Sequence, residues 1–341
     1  MMTTALLAAS LILNRQTPGW KTEFVGRKDF AQCTRVLALP DRIFFMDSPP
    51  PYEQDGGDLW VWRDLDAKAG KVLSVKDKGI SVIRQFQDKM YVPGMNAIQD
   101  REWGNWYVSG DTGDTWRSFH NVPRSRRVND VAVWRHRLYL AVSDPGGGSV
   151  MASDNQGVTW GRPASMKPVQ GAAQITHFLV MSDGLYAFWA LDPQGDASQD
   201  CLKFDGDKWT PTKLFPGVVP VNNPTVFGDY AVVFSNPVSY FLKDGKAGAI
   251  PSTQGLAFSD GAQPDPYSMF WLARDPKLNH SSLYRSTVDP RGPTFGSLVK
   301  VMELPDHDIA NSIAIHNGKV FCACTGESQG LLLSIPLATV R

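Results

Sequence analysis

The sequence predicts an all-β chain folded as one closed β-propeller, and three observations carry that prediction. Proline and glycine run through its whole length, 24 and 30 of them in 341 residues. No long stretch free of both shows a 3.6-residue apolar period, so no helix is expected. A short unit recurs along the chain, and the chain ends one strand short of a complete unit while a strand of the missing kind stands near its start.

The unit is a turn residue or a charge followed by an apolar, aromatic strand. It is seen at RIFFM (42–46), KMYV (89–92), RLYLA (137–141), GLYAF (184–188), DYAVV (229–233), YSMFW (267–271) and KVFCA (319–323). Other apolar runs precede these and end in tight turns, as at Arg135-His136, Ser182-Asp183 and Asn317-Gly318. The period is about 46 residues, the size of one propeller blade. Such a hairpin sheet cannot bury both of its faces alone, but packed radially between two neighbours it can. Seven units fit the length. Six and eight stay open, because the unit at 229 is short and the one at 267 is weakly patterned.

Outer strands with tryptophan are expected at WRSF (116–119), WGRP (160–163) and WTPT (209–212). WKTEF (20–24) is of the same kind, and the last unit stops near 333–340 without one. The N-terminal strand is therefore expected to complete the last blade and remove an open edge.

Bulk properties narrow the function. Lys plus Arg and Asp plus Glu both number 34. Without a basic excess, no nucleic-acid partner is expected. No apolar run long enough for a transmembrane span follows the N-terminus. Residues 1–15 hold the apolar stretch ALLAASLIL (5–13) without a basic start or a clean cleavage site. A signal peptide and an apolar arm stay equally open there, and so do secreted or periplasmic and cytoplasmic locations. Residues 16–341 read as one propeller domain, expected to be a monomer. Four cysteines are too few for a disulfide scaffold. Cys322 and Cys324 share one strand face; a bridge from Cys33 to one of them and buried free thiols are both open. The six histidines form no ligand-spaced pair, and neither metal nor cofactor is expected.

Ser109-Gly-Asp111-Thr-Gly113-Asp-Thr115-Trp116 reads Ser-x-Asp-x-Gly-x-Thr-Trp in full. Ser153-Asp-Asn155-Gln-Gly157-Val-Thr159-Trp160 repeats it one unit later with Asn for Asp. STVDPRGPTF (286–295) and FDGDKW (204–209) are looser copies. On these residues the chain resembles the sialidase-like Asp-box (BNR repeat) propellers. In such a turn a short carboxylate or amide accepts backbone N–H bonds, and glycine takes a conformation closed to other residues. The resemblance implies that the boxes sit on the face opposite the ligand, so Asp111, Asp114 and Asp154 are read as turn-formers rather than catalytic groups.

The resemblance also implies an arginine triad for a substrate carboxylate, a Tyr–Glu nucleophile pair and an acid–base Asp. CTRVLALP (33–40) resembles the first arginine's strand, with Arg35 in place but the flanking Phe and Pro missing. The acidic loop DSPPPYEQDGGD (47–58) offers Asp55 and Asp58 as acid–base candidates. No second or third arginine and no Tyr–Glu pair can be assigned. Read from the blades alone, the segments entering each inner strand and the loops joining second to third strands share one face. There Arg35, Arg84, Arg127, Asp130, His177 and Arg274 are the candidate ligand-binding residues, among them donors suited to a carboxylate. Solvated loops are the plainer reading of each, and for Arg35 so is an ion pair with Asp55 or Asp58. The expected function is a propeller that binds a glycan or protein partner on its loop face, with catalysis not evident. The alternatives are an exo-acting, sialidase-like glycoside hydrolase and an assembly scaffold.

Overall fold

The computed structural model describes residues 19–340 except 29, 50–55, 76, 81, 96–101, 145–146, 167–171, 192–200, 216–221, 236–237, 251–254, 278–279, 306–308 and 327–328. The apolar segment at 1–15 and Asp55 thus lie outside the described residues.

Strands form where the sequence alternates, and turns where it places Gly, Asn or Asp. After β1 (Lys21–Val25), unit 1 comprises β2 (Gln32–Leu39), β3 (Arg42–Ser48), β4 (Gly57–Arg63) and β5 (Gly70–Val75). Unit 2 comprises β6 (Arg84–Phe86), β7 (Lys89–Pro93), β8 (Trp103–Ser109) and β9 (Arg117–Pro123). Unit 3 has β10 (Arg127–Trp134), β11 (Arg137–Asp144) and β12 (Gly147–Ser153). Unit 4 has β13 (Ala172–Met181), β14 (Gly184–Leu191), β15 (Cys201–Phe204) and β16 (Trp209–Thr212). Unit 5 has β17 (Asn222–Phe227), β18 (Tyr230–Phe234), β19 (Tyr240–Lys243) and β20 (Lys246–Ala249). Unit 6 has β21 (Ala257–Asp265), β22 (Ser268–Asp275) and β23 (His280–Asp289), with β24 (Thr294–Phe295) and β25 (Val299–Glu303) both pairing to β23. Unit 7 has β26 (Ile309–His316), β27 (Lys319–Thr325) and β28 (Leu331–Pro336). Each unit is an antiparallel meander stepping outward from its first strand.

Strand β1 pairs antiparallel with β28, Lys21 opposite Ser334 and Val25 opposite Leu331. The N-terminal strand therefore completes the last unit, as the sequence predicts. Trp20 fixes the junction from the other side, its indole N–H donating to the Glu303 carbonyl at 2.8 Å. In unit 3 the outer strand expected at 160–163 shrinks to a single bridge between Ala152 and Gly161. The chain turns away at Pro163, whose carbonyl accepts the Met166 N–H at 2.8 Å, and Met166 is buried among the residues of units 3 and 4.

The core lies between units, and the period of two along each strand puts it there. In β3, Phe44 and Met46 pack toward unit 2, while Ile43 and Phe45 pack toward unit 7. In β27, Val320, Cys322 and Cys324 face unit 6, while Phe321 and Ala323 face unit 1. Comparable clusters join units 2 and 3, 3 and 4, 4 and 5, and 5 and 6. The ring of contacts is thus closed, which makes the fold a β-propeller. A fully buried phenylalanine such as Phe45 contributes about 1.5–3 kcal/mol relative to exposure, so Phe45→Ala would open the joint where the ends of the chain meet. The same alternation settles the cysteines. Cys33 packs with the residues between units 7 and 1, Cys322 and Cys324 with those between units 6 and 7, and all four cysteines are buried thiols outside any disulfide.

Candidate functional site

Six inner strands share a local irregularity. Their pairing with the second strand slips between Cys33 and Val36, Val128 and Asp130, Ile175 and His177, Asn222 and Thr225, Phe258 and Asp260, and Ala310 and Ser312. A β-bulge re-aims the side chains beside it. Arg35, Asp130, His177, Asp260 and Ser312 all stand at these bulges and form a polar layer among the inner strands.

Asp130 is fully buried. Arg84 of unit 2 grips it with both arms of its fork, Nε to Oδ1 at 2.8 Å and Nη2 to Oδ2 at 2.6 Å. The carboxylate also accepts the N–H of Val131 and, across the unit boundary, of Phe178, each at 2.8 Å. Burial alone would raise this carboxyl, but the Arg84 charge and these donors hold it below the usual carboxylate range. The same pair lifts the Arg84 guanidinium against the pull of burial.

Asp260 repeats the arrangement in unit 6. It accepts the Gly261 N–H at 2.9 Å, the Ile313 N–H of the next unit at 3.2 Å and the Ser312 hydroxyl at 2.6 Å. Its cation is Arg35, and that contact is long, 4.0 Å, although the Arg35 side chain is only 12% exposed. Arg35 makes no hydrogen bond among the described residues. Burial, opposed by Asp260 and aided by Arg84, pushes its guanidinium down to about 10, so it still carries full charge at neutral pH. The Nδ1 of His177 is sealed from solvent without a hydrogen-bond partner among the described residues. Burial pushes His177 down to about 4, which leaves it neutral at pH 7.

A cavity of about 290 Å³ lies beside this layer, lined by Arg35, Arg84, Phe86, Val131, Phe178, Val180 and neighbouring inner-strand residues. Its walls belong mainly to the halves of the inner strands nearer their first hairpin turns. Among the described residues, no tyrosine or glutamate lines it. On the opposite face, every loop between a second and third strand contains residues outside the described set.

The structure brings together Arg35, Arg84, Asp130 and His177. Arg127 instead reaches unit 4, Nη1 to Gln174 Oε1 at 2.7 Å, and does not line the cavity. Arg274 stands on the second strand of unit 6, opposite Ala257, away from the polar layer. Asp58 is not the acid of Arg35. It is the second residue of β4, accepts the Ser74 hydroxyl at 2.6 Å and lies 3.7 Å from Arg27 and 3.5 Å from Lys71. The acid beside Arg35 is Asp260, which sequence reasoning missed. The triplet Ser259-Asp260-Gly261 parallels Asn129-Asp130-Val131, and that parallel was the available signal.

The two Ser-x-Asp/Asn-x-Gly-x-Thr-Trp segments are hairpin turns built alike. The Ser109 hydroxyl donates to Asp111 at 2.7 Å and accepts the Gly113 N–H at 2.8 Å; Ser153 does so to Asn155 at 2.9 Å and from Gly157 at 2.8 Å. Asp111 and Asn155 accept the Thr115 and Thr159 N–H groups at 2.8 and 2.9 Å. The Thr115 hydroxyl and N–H pull the Asp111 carboxyl down to about 2. Its acceptors are spent within the turn. Gly113 and Gly157 take φ of 92° and 86°, and a Cβ on Gly157 would stand 2.2 Å from Trp106.

No protein-family model matches the chain. No curated protein matches it either. Solved structures do. One is described as YCF48 bound to D1 peptide, 11% identical, with a TM-score of 0.55, over 94% of this chain and 98% of that one. A puromycin-hydrolysing peptidase of Mycobacterium tuberculosis is 12% identical with a TM-score of 0.55, over 95% of this chain but 55% of its own. A prolyl endopeptidase is 10% identical with a TM-score of 0.55, over 92% of this chain and 50% of its own. At such identities the likeness shows the fold alone, and that fold is a β-propeller.

Proposed function

We propose that the chain is a seven-bladed, sialidase-like Asp-box propeller that binds a carboxylate-bearing partner, glycan or peptide, at its central channel and does not turn it over. The carrying observation is Arg35. It is nearly buried, its ion-pair partner among the described residues, Asp260, stands 4.0 Å away, and it lines the channel cavity. A planar guanidinium with unused donors is suited to a carboxylate. A solved propeller of similar extent carries a peptide in its description, so this fold supports partner binding. Against turnover stands the lining of the cavity, which offers neither the Tyr–Glu contact of a sialidase nor a carboxylate pair of the kind that cleaves glycosides.

The test is calorimetric titration of the purified protein with N-acetylneuraminate, glucuronate and an acidic peptide, beside a fluorogenic glycoside panel. Saturable binding that Arg35→Gln abolishes, with no glycoside released, is the expected result. Release of fluorophore would replace this reading with the glycoside hydrolase.

A further inference from the structure

We infer that the channel accepts a small carboxylate carried on an apolar body, an aliphatic or aryl-alkyl acid, rather than an acidic sugar. This rests on the reading above, and it goes further by naming the ligand class from the walls of the cavity.

Two arginines line the cavity, and they are not equivalent. The Arg84 fork is filled by Asp130 at 2.8 and 2.6 Å. Arg35 has only the 4.0 Å contact with Asp260. Asp260 in turn satisfies its oxygens with the Gly261 and Ile313 N–H groups and the Ser312 hydroxyl. A ligand carboxylate can therefore bond Arg35 without displacing an existing hydrogen bond.

Beyond the two arginines the chamber is mostly apolar, with Gln85 and Thr225 as the polar side chains of its lining. Ile83, Phe86, Val131, Phe178, Leu179 and Val180 supply walls. A sugar ring presents a hydroxyl at nearly every carbon, more than Gln85 and Thr225 can answer, and hydroxyls buried without a partner cost more than apolar groups in the same place. Methylene or phenyl groups gain from the same walls. At about 290 Å³ the cavity is at the small end of ligand sites, which suits a six- to nine-carbon acid. Val226 is 44% exposed and lines the cavity, so its side chain stands where the chamber meets solvent.

The test titrates the full chain at pH 7 with acetate, hexanoate, 3-phenylpropionate, 1-hexanol, glucuronate and N-acetylneuraminate. Hexanoate and 3-phenylpropionate are expected to bind about tenfold or more tighter than acetate and either sugar acid. Arg35→Gln should weaken both by about tenfold or more. Val226→Trp, which narrows the mouth, should weaken hexanoate while leaving acetate unchanged; its melting temperature confirms folding, and Val180→Phe repeats the test from another wall. Sugar acids binding as tightly as hexanoate, in an Arg35-dependent way, would overturn this inference and leave the carboxylate reading standing. Hexanol matching hexanoate would remove Arg35 from the site and overturn both. Absence of binding by every acid would also end both.

Discussion

Asp130 and Asp260 occupy equivalent places in units 3 and 6, and they differ in one respect. Both are buried, and both follow a bulge. Each accepts the N–H of its own successor and an N–H from the next unit's inner strand. That shared pattern stitches neighbouring units together. Asp130 is then closed by a two-armed arginine at 2.6–2.8 Å, whereas Asp260 takes a serine hydroxyl and keeps its arginine at 4.0 Å. The same latch is purely structural in one place and leaves a spare cation in the other. A buried carboxylate can be satisfied largely by dipoles, and here the nearby arginine then keeps its side chain without a hydrogen bond among the described residues.

The largest expected effect breaks the closed latch. Asp130→Ala strands the Arg84 charge in the channel and should cost about 3–5 kcal/mol of unfolding free energy. Asp260→Ala removes hydrogen bonds to neutral donors and only a long, 4.0 Å contact with Arg35, and should cost less, about 1–3 kcal/mol. Urea unfolding of the two variants compares them directly. Equal losses, or a larger loss at Asp260, would contradict the distinction.

The motif turns provide a region where a carboxylate or amide serves the backbone alone. Gly157→Val forces a β-branched residue to a positive φ and into Trp106. Gly113→Val does the same against Phe44, 2.4 Å from the added Cβ. Each should cost about 1–3 kcal/mol through backbone strain, with further loss from overpacking. Neither should alter carboxylate affinity once the melting temperature is accounted for. Affinity that falls with an unchanged melting temperature would move the site from the channel to these outer turns.

Asp47 extends the comparison to a carboxylate that the Arg27 charge does not neutralise. It accepts the Arg27 N–H at 2.9 Å, lies opposite Asp58 across the strand pair, and leaves Oδ1 buried without a hydrogen-bond partner among the described residues. Burial, reinforced by Asp58 and opposed by the bond and charge of Arg27, pushes it up to about 7 from 3.8. The folded state therefore keeps a proton that the unfolded chain has already lost. Stability should fall as pH rises from about 4 to about 7, then level off. Asp47→Asn removes this titration, so the variant should gain on the wild type by on the order of 1–2 kcal/mol across that window. Parallel stability curves for the two proteins would show that Asp47 is not the titrating group.

The fold was legible because its signals are local. An apolar–aromatic strand after a tight turn marks each hairpin, and tryptophan marks the outer strands, including the one that closes the ring. Unit 3 escaped because its outer strand shrinks to the Ala152–Gly161 bridge, although the residues at 160–163 resemble those of the paired strand Trp209–Thr212, which accommodates Pro211. The site was half legible. Arg35, Arg84, Asp130 and His177 stand at the entrances of inner strands and could be named, yet which acid answers which arginine depends on contacts between units far apart in sequence. Asp260 lay hidden because β21 carries Gly261 and Pro264 and does not alternate. No pattern within one strand distinguishes the arginine whose fork is filled from the one whose fork is free.

The smallest expected effect concerns the stability of Arg35 itself. A buried arginine in a tight pair is costly to remove, because its acid is left uncompensated. Arg35 should differ, since Asp260 keeps its two N–H donors and the Ser312 hydroxyl when the guanidinium goes. The arginine also carries a desolvation cost that its distant partner only partly offsets, which is why burial holds it down to about 10. Arg35→Gln should thus change unfolding free energy by less than about 1 kcal/mol in either direction. Arg84→Gln should lose clearly more, because it leaves Asp130 without its cation. A melting temperature that falls as far for Arg35→Gln as for Arg84→Gln would mean that the 4.0 Å contact closes in solution. Arg35 would then be a structural ion pair like Arg84, and the channel would hold no cation to offer a ligand.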